Sequence, residues 1–373
     1  MKFNCEKEVL SEAINNVILA VSSKSTLIAL EGILIKCKNN ELSLTGYNLE
    51  LGITKVLSVD SVEDGNIILN ATLLSNIINK MPGGNITFSS DEKLLTIITC
   101  KEAEFTILGL NAEEFPEIPT VTNENEFEIS HFLLKNMISQ TLFSIALNDQ
   151  NPIHTGSLFD IKDGILNIVS VDGYRLAMRK EKINTDKQIK FVVPGKTLSE
   201  IVKLLSKIVM EEENYKVKIC YSNRHIIFYI CGYSIISRLL DGEFLDYKNA
   251  IPTTSKTTVK VKTKDFIDSI NRASIIINER AKSPIKCEFK DNCGKLFCET
   301  SVGKINDVFD AKIDGEEVKI GFNNKYMYDA LKATDCEEVY IKISGPLSPM
   351  KIVPLNDDSF LFLVLPVRLK DAN

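Results

Sequence analysis

Several constellations in this sequence carry residue types that could do chemistry. Gly195-Lys196-Thr197 has the ending of a phosphate-binding loop, where backbone N–H groups and a lysine cradle phosphates. That loop needs a glycine five residues before Gly195, and Lys190 stands there. Nucleotide binding is therefore not expected. The three histidines, His131, His154 and His225, could serve a metal or a general base, but none has metal-ligand spacing. The nine cysteines contain no Cys-x-x-Cys pair, and the closest two, Cys293 and Cys298, read as plain thiols. Asp172 precedes Arg175 by three positions, which suits an Asx turn or an ion pair. Glu211-Glu212-Glu213 reads as a solvated loop. No Gly-x-Ser-x-Gly elbow occurs. Nothing assembles acid, base and nucleophile, so we expect no catalytic site, no metal and no cofactor.

The chain-wide numbers set the frame for those residues. A length of 373 residues with 44% hydrophobic and 25% charged positions fits two or three globular domains. No apolar run is long enough for a membrane span. The opening Met1-Lys2-Phe3-Asn4-Cys5-Glu6 turns polar too soon for a signal peptide, which points to the cytoplasm. The net charge of −6 argues against an ordinary DNA-binding protein. A protein that encloses DNA, however, needs positive charge only on its enclosing face.

One unit of about 125 residues recurs three times along the chain, and repeats of this kind decide the fold. The first copy opens on Lys2-Phe3-Asn4-Cys5. An amphipathic stripe follows at Val9, Leu10, Ala13, Ile14, Val17 and Ile18. The stripe returns at Leu133, Leu134, Met137, Ile138 and Leu142, and again at Phe266, Ile270 and Ala273. Hairpin strands come next, with Asn39-Asn40, Asp163-Gly164 and Cys293-Gly294 as their turns. A second helix follows in each copy. Its apolar positions are Leu74, Ile77, Ile78 and Met81, then Leu198, Ile201, Val202 and Leu205, then Met327, Ala330 and Leu331. Phe115 to Pro119 and Phe244 to Pro252 close the first two copies. Polar spacers after them suggest boundaries at 1–121, 126–252 and 253–373. Each copy is an α+β unit with two helices on one face of antiparallel sheets. The polar helix faces present Asn15, Asn16, Ser139, Gln140, Asn271 and Arg272 on the first helices. Asn79, Lys203 and Lys332 take equivalent places on the second. This surface is sparse and mildly basic.

Five segments in register resemble the bacterial DNA sliding clamp family, the beta subunit of DNA polymerase III. They are Thr45 to Ile53, Val171 to Ala177, Leu240 to Tyr247, Ser348 to Ile352 and Leu365 to Leu369. The resemblance spans Met1 to Leu369. It implies three tandem clamp-type domains, joined head to tail with a second copy into a ring around duplex DNA. Twelve helices would line the hole. The function implied is processivity: the ring tethers the replicative polymerase and other DNA-processing proteins without catalysis of its own.

The resemblance also implies site residues. Lys24, Asn148 and Lys196, with Lys203 next, would face DNA. A partner-peptide groove between the second and third domains would use His154, Gly173, Tyr174, Arg175, Leu176, Leu245, Asn249, Ala250, Leu363, Leu365, Pro366, Val367 and Arg368. Polymerase, clamp loader and other clamp-motif proteins would insert a short hydrophobic peptide there. On residues alone, Leu361 to Leu365 reads as a buried terminal strand, taken as an edge strand whose end lines the groove. Phe105 and Ile107 would meet Ile275 and Ile276 of the other chain in a homodimer. Tyr174 stands where the family has His, Leu245 where it has Pro, His154 where an aliphatic residue is common, and Asn151 where Arg is. A divergent clamp-like paralogue, or a scaffold that never encloses DNA, is the competing class. An enzyme with an undetected site is the other. Scaffold and clamp differ in shape, since a clamp is a ring-shaped dimer.

Overall fold

The computed structural model describes residues 1–121, 125–147, 151–207, 215–277 and 283–369. Asn148 and Glu211 to Glu213, all singled out above, lie outside the described residues.

Seven helices occur among the described residues: α1 (Lys7–Val17), α2 (Ala71–Lys80), α3 (His131–Ser139), α4 (Gly195–Leu205), α5 (Tyr247–Ala250), α6 (Thr263–Ser274) and α7 (Asn324–Ala333). Their apolar stripes explain them. Leu10, Ala13, Ile14 and Val17 of α1 are buried, as are Leu134, Met137 and Ile138 of α3 and Phe266, Ile270 and Ala273 of α6. Each fully buried aliphatic or aromatic side chain contributes about 1.5–3 kcal/mol. Asn70 caps α2 by accepting from Leu73 N–H, and Asn323 caps α7 by accepting from Tyr326 N–H.

The polar faces differ in part from expectation. Asn15 and Asn79 do face each other across the α1–α2 pair, 3.1 Å apart in both amide directions and joined by Ser11 and Ser75. Asn16, however, is 2% exposed. Its amide donates to the Tyr233 hydroxyl at 2.7 Å and accepts from Lys207 Nζ at 2.5 Å. A buried amide needs such partners, and the sheet beneath α1 supplies the tyrosine. Val9, expected inside, is exposed. Arg272 spends its charge on Asp307 at 2.6 Å.

The chain forms two compact units, Met1–Phe132 with Ser199–Leu239, and Leu133–Leu198 with Leu240–Asn373. In the first, a five-stranded sheet runs Asp60–Glu63, Lys2–Glu6, Asn85–Ser90, Leu95–Cys100, Ala103–Leu108. An eight-stranded sheet joins the first two copies, because Tyr233–Arg238 pairs antiparallel with Leu51–Ser58 in the register Ile235 opposite Ile53. In the second unit a twelve-stranded sheet joins the second and third copies, through Arg175–Lys182 beside Phe360–Val364. The long strand Gly303–Gly315 turns this sheet's corner. It pairs with Cys293–Thr300 along its first half and with Thr257–Lys262 along its second.

Two expectations about strands are corrected. Phe360–Val364 is an interior strand, hydrogen-bonded on both sides by Arg175–Lys182 and Met350–Val353. The third hairpin turns at Asp291-Asn292, with φ of 53° and 55°, and not at Cys293-Gly294. Asp and Asn tolerate this left-handed geometry. Gly294 sits in the strand for another reason: a Cβ there would come within 2.2 Å of the Phe309 ring.

Candidate partner-binding site

The expected groove residues gather in the second compact unit, where the strand Arg175–Lys182 begins. The turn before it is an Asx turn. The Asp172 carboxylate accepts from Tyr174 N–H at 3.0 Å and Arg175 N–H at 3.1 Å, and Gly173 takes φ +86°, which favours glycine. The same carboxylate accepts from Arg175 Nε at 2.9 Å. Arg175 Nη1 donates to Asp329 of α7 at 2.6 Å. The guanidinium also lies over the Tyr326 ring at 4.6 Å and near Phe143 at 5.4 Å. Arg175 is buried, with two carboxylates satisfying its charge, as a buried cation requires. It therefore organises the site from beneath.

Tyr174 is 61% exposed, and its ring stacks on Tyr326 at 5.9 Å. Its carbonyl accepts from Leu365 N–H at 2.9 Å, and Val367 N–H donates to Gly321 at 2.8 Å. A Cβ on Gly321 would fall 2.5 Å from Leu369 and 2.6 Å from the Val367 carbonyl. Glycine there lets the tail lie down on the edge strand Val318–Phe322. Burial raises the Tyr326 hydroxyl's pKa, Asp172 adds to the rise, and Arg175 opposes it.

Another part of the site is built by α5. Tyr247, 3% exposed, donates its hydroxyl to Asp160, 2% exposed, at 2.8 Å. Burial pushes the Tyr247 pKa well up, and the hydrogen bond and charge of Asp160 push it further. Lys190 Nζ stands 3.8 Å from that carboxylate. Tyr247 belongs to one apolar cluster with Leu176, Leu363, Val171 and Ile153, against which Phe244 packs. His154 meets Phe244 edge-on at 5.8 Å. Leu176 and Leu363 are thus floor, whereas Tyr174, Leu245, Leu365 and Val367 are exposed. Gly173, Asn249, Ala250 and Arg368 are exposed too, and His154 and Pro366 are half-buried. Exposed apolar side chains over a buried apolar floor can take an apolar peptide.

The other expected residues fall elsewhere. Lys24, Lys196 and Lys203 are exposed, and Lys203 pairs with Glu200 at 2.8 Å. Gly195 is explained by packing: a Cβ would meet Ile145 at 2.3 Å. Phe105 is exposed and Ile107 half-buried on Ala103–Leu108, the edge of the five-stranded sheet. Ile275 is 82% exposed just past α6, and Ile276 packs against the third-copy core. Sequence reasoning missed Asp160, Asp329 and Tyr326. Only Asp160 carried a signal, as a charge inside the apolar run Leu158 to Ile161.

The comparison with known proteins decides the family. Models of the DNA polymerase III beta subunit match in order: the N-terminal domain over residues 1–119, the central domain over 128–246 and the C-terminal domain over 248–368. The chain belongs to the DNA polymerase III beta subunit family. Within it, the chain is 33% identical to the beta sliding clamp of Bacillus subtilis over 381 residues, covering 99% of this chain and 100% of that one. The crystal structure of that organism's DNA polymerase sliding clamp superposes with a TM-score of 0.95 at 32% identity, covering 99% and 100% of the two chains. A putative DNA polymerase III beta subunit from Eubacterium rectale gives a TM-score of 0.93 at 35% identity, covering 98% and 99%. The beta-subunit fold thus accounts for the threefold repeat and for the sheets that run across its seams.

Proposed function

We propose that this chain is a DNA sliding clamp, a processivity factor that keeps a DNA polymerase on duplex DNA. The observation that carries this is the ordered run of three beta-subunit domains along one chain. Membership of the family supports DNA and polymerase as partners. A clamp must hold DNA without reading its sequence, and a few lysine–phosphate contacts do that while permitting sliding. Lys24, Lys196 and Lys203 are exposed and suit that role. Asn148 is assigned to it by resemblance alone. The domains run over 1–121, 126–252 and 253–373, and the work is done in the bacterial cytoplasm on the nucleoid.

The finer architecture belongs to the same proposal. Two copies join head to tail and close a ring, with Phe105 and Ile107 of one meeting Ile275 and Ile276 of the other. Edge-strand position and the exposure of Phe105 and Ile275 support that interface. Polymerase, clamp loader and other partners seat a hydrophobic peptide over Tyr174, Leu245, Leu365 and Val367. Their exposure above the Leu176–Tyr247–Leu363 floor supports this. The chain acts by enclosure, with no catalytic step of its own.

Topology supplies the test. Protein loaded on nicked circular DNA should stay bound at high salt and come off when the circle is cut. Equal retention on linear DNA, or a monomer by light scattering at micromolar concentration, defeats the clamp reading.

A further inference from the structure

The registers of the twelve-stranded sheet set side chains in rows on the face turned away from α6 and α7. Lys342 stands directly opposite Lys351, and Lys351 opposite Leu363. Leu363 in turn stands opposite Leu176. Like charges directly opposite destabilise a strand pair. The neighbouring Lys260 is neutralised by Glu338 at 2.7 Å. Lys342 and Lys351 have no carboxylate at ion-pairing distance among the described residues. Lys351 Nζ instead donates to the Pro252 carbonyl at 3.0 Å, just past α5. Burial first, and then Lys342, lower the proton affinity of Lys351. A local rule broken with one backbone carbonyl, and no carboxylate, to offset it marks a functional or strained position.

The position of the pair names its ligand. Leu363, beside Lys351, is floor of the apolar cluster. Leu365 lies two residues beyond Leu363 along the same strand line, on the same face, and beside it the Tyr174 ring reaches Tyr326 of α7. Leu365 and Tyr174 are joined by the Leu365 N–H to Tyr174 carbonyl bond. Positive charge is thus continuous with the apolar partner surface. The geometry points to an acidic-side-chain subsite: Lys342 and Lys351 receive Asp or Glu residues that flank the apolar anchor of a partner peptide. This rests on the partner-site reading above. A nucleic acid would use the charges but has no side chain for the apolar floor, so an acidic peptide is the occupant.

The test uses the full-length protein and two fluorescent peptides with the same Leu/Phe core, one flanked on both sides by aspartates and one by serines. At low salt the aspartate peptide should bind about fivefold tighter, the scale of exposed ion pairs. The preference should shrink as salt screens it. In Lys342→Gln/Lys351→Gln the ratio of the two affinities should fall to one. Lys342→Glu/Lys351→Glu, checked for folding by circular dichroism, should prefer a lysine-flanked peptide. No preference in the unaltered protein, or a preference that survives the glutamine pair, overturns the subsite. So does a duplex oligonucleotide that displaces the aspartate-flanked peptide and not the serine-flanked one, an effect abolished in the glutamine pair, since nucleic acid would then be the occupant of the lysines. If neither peptide binds, or Leu365→Asp leaves both affinities unchanged, the partner-site reading itself fails and the subsite falls with it.

Discussion

Tyr247→Phe isolates one hydrogen bond at the site. The ring is 3% exposed and its packing is unchanged by the substitution, so apolar burial cancels. What is lost is the 2.8 Å bond from the hydroxyl to Asp160, a carboxylate only 2% exposed. Hydrogen bonds to charged groups are worth about 1.5–3 kcal/mol. Lys190, at 3.8 Å with a side chain 64% exposed, recovers little of it. The expected loss is about 2 kcal/mol, read by urea unfolding and by faster amide exchange in α5. The pH dependence has a definite sign. The Tyr247 pKa is raised above its ordinary value of 10.0 in the fold. The contribution is therefore fully present below pH 10 and declines as pH climbs above it. The gap between the two proteins should narrow in that alkaline range. A loss under about 0.5 kcal/mol at neutral pH, below the low end for such bonds, or a gap that stays constant well above pH 10, refutes the argument.

Two further outcomes follow from the same geometry. Arg175→Met leaves Asp172 and Asp329 facing each other without their shared cation. It should cost about 3 kcal/mol in denaturant unfolding and weaken binding of the Leu/Phe peptide. Gly294→Ala puts a methyl 2.2 Å from Phe309, whose ring is held against Phe266 at 4.5 Å. It should lower thermal stability by about 1–3 kcal/mol, and a neutral result would show that the Phe309 ring can swing aside.

Much of the site was legible in local pattern. The Asx turn at Asp172 followed from residue type and spacing, because an Asp side chain reaches its own backbone two or three residues on. The groove positions Tyr174, Leu365 and Val367 came by resemblance. The dual engagement of Arg175 did not, since Asp329 lies 154 positions away and no local spacing reports it. The row of Lys342 and Lys351 was hidden for the same reason: each is an ordinary strand lysine until the register sets them opposite.

The repeat of about 125 residues, its helix stripes and its hairpins were determined by the sequence alone. Period 3.6 and period 2 are properties of each segment by itself. Periodicity tells which side of an element is apolar, and it is silent on what that side meets. Tertiary structure decided that Asn16 would be buried against Tyr233 and that Phe360–Val364 would be an interior strand. It also decided that Asp160 would be paired by a tyrosine brought from 87 positions away. Those outcomes depend on long-range pairing, in which strands from different copies share one ladder of hydrogen bonds. That ladder joins the second copy's Arg175–Lys182 to the third copy's Phe360–Val364, and the partner site is built along it.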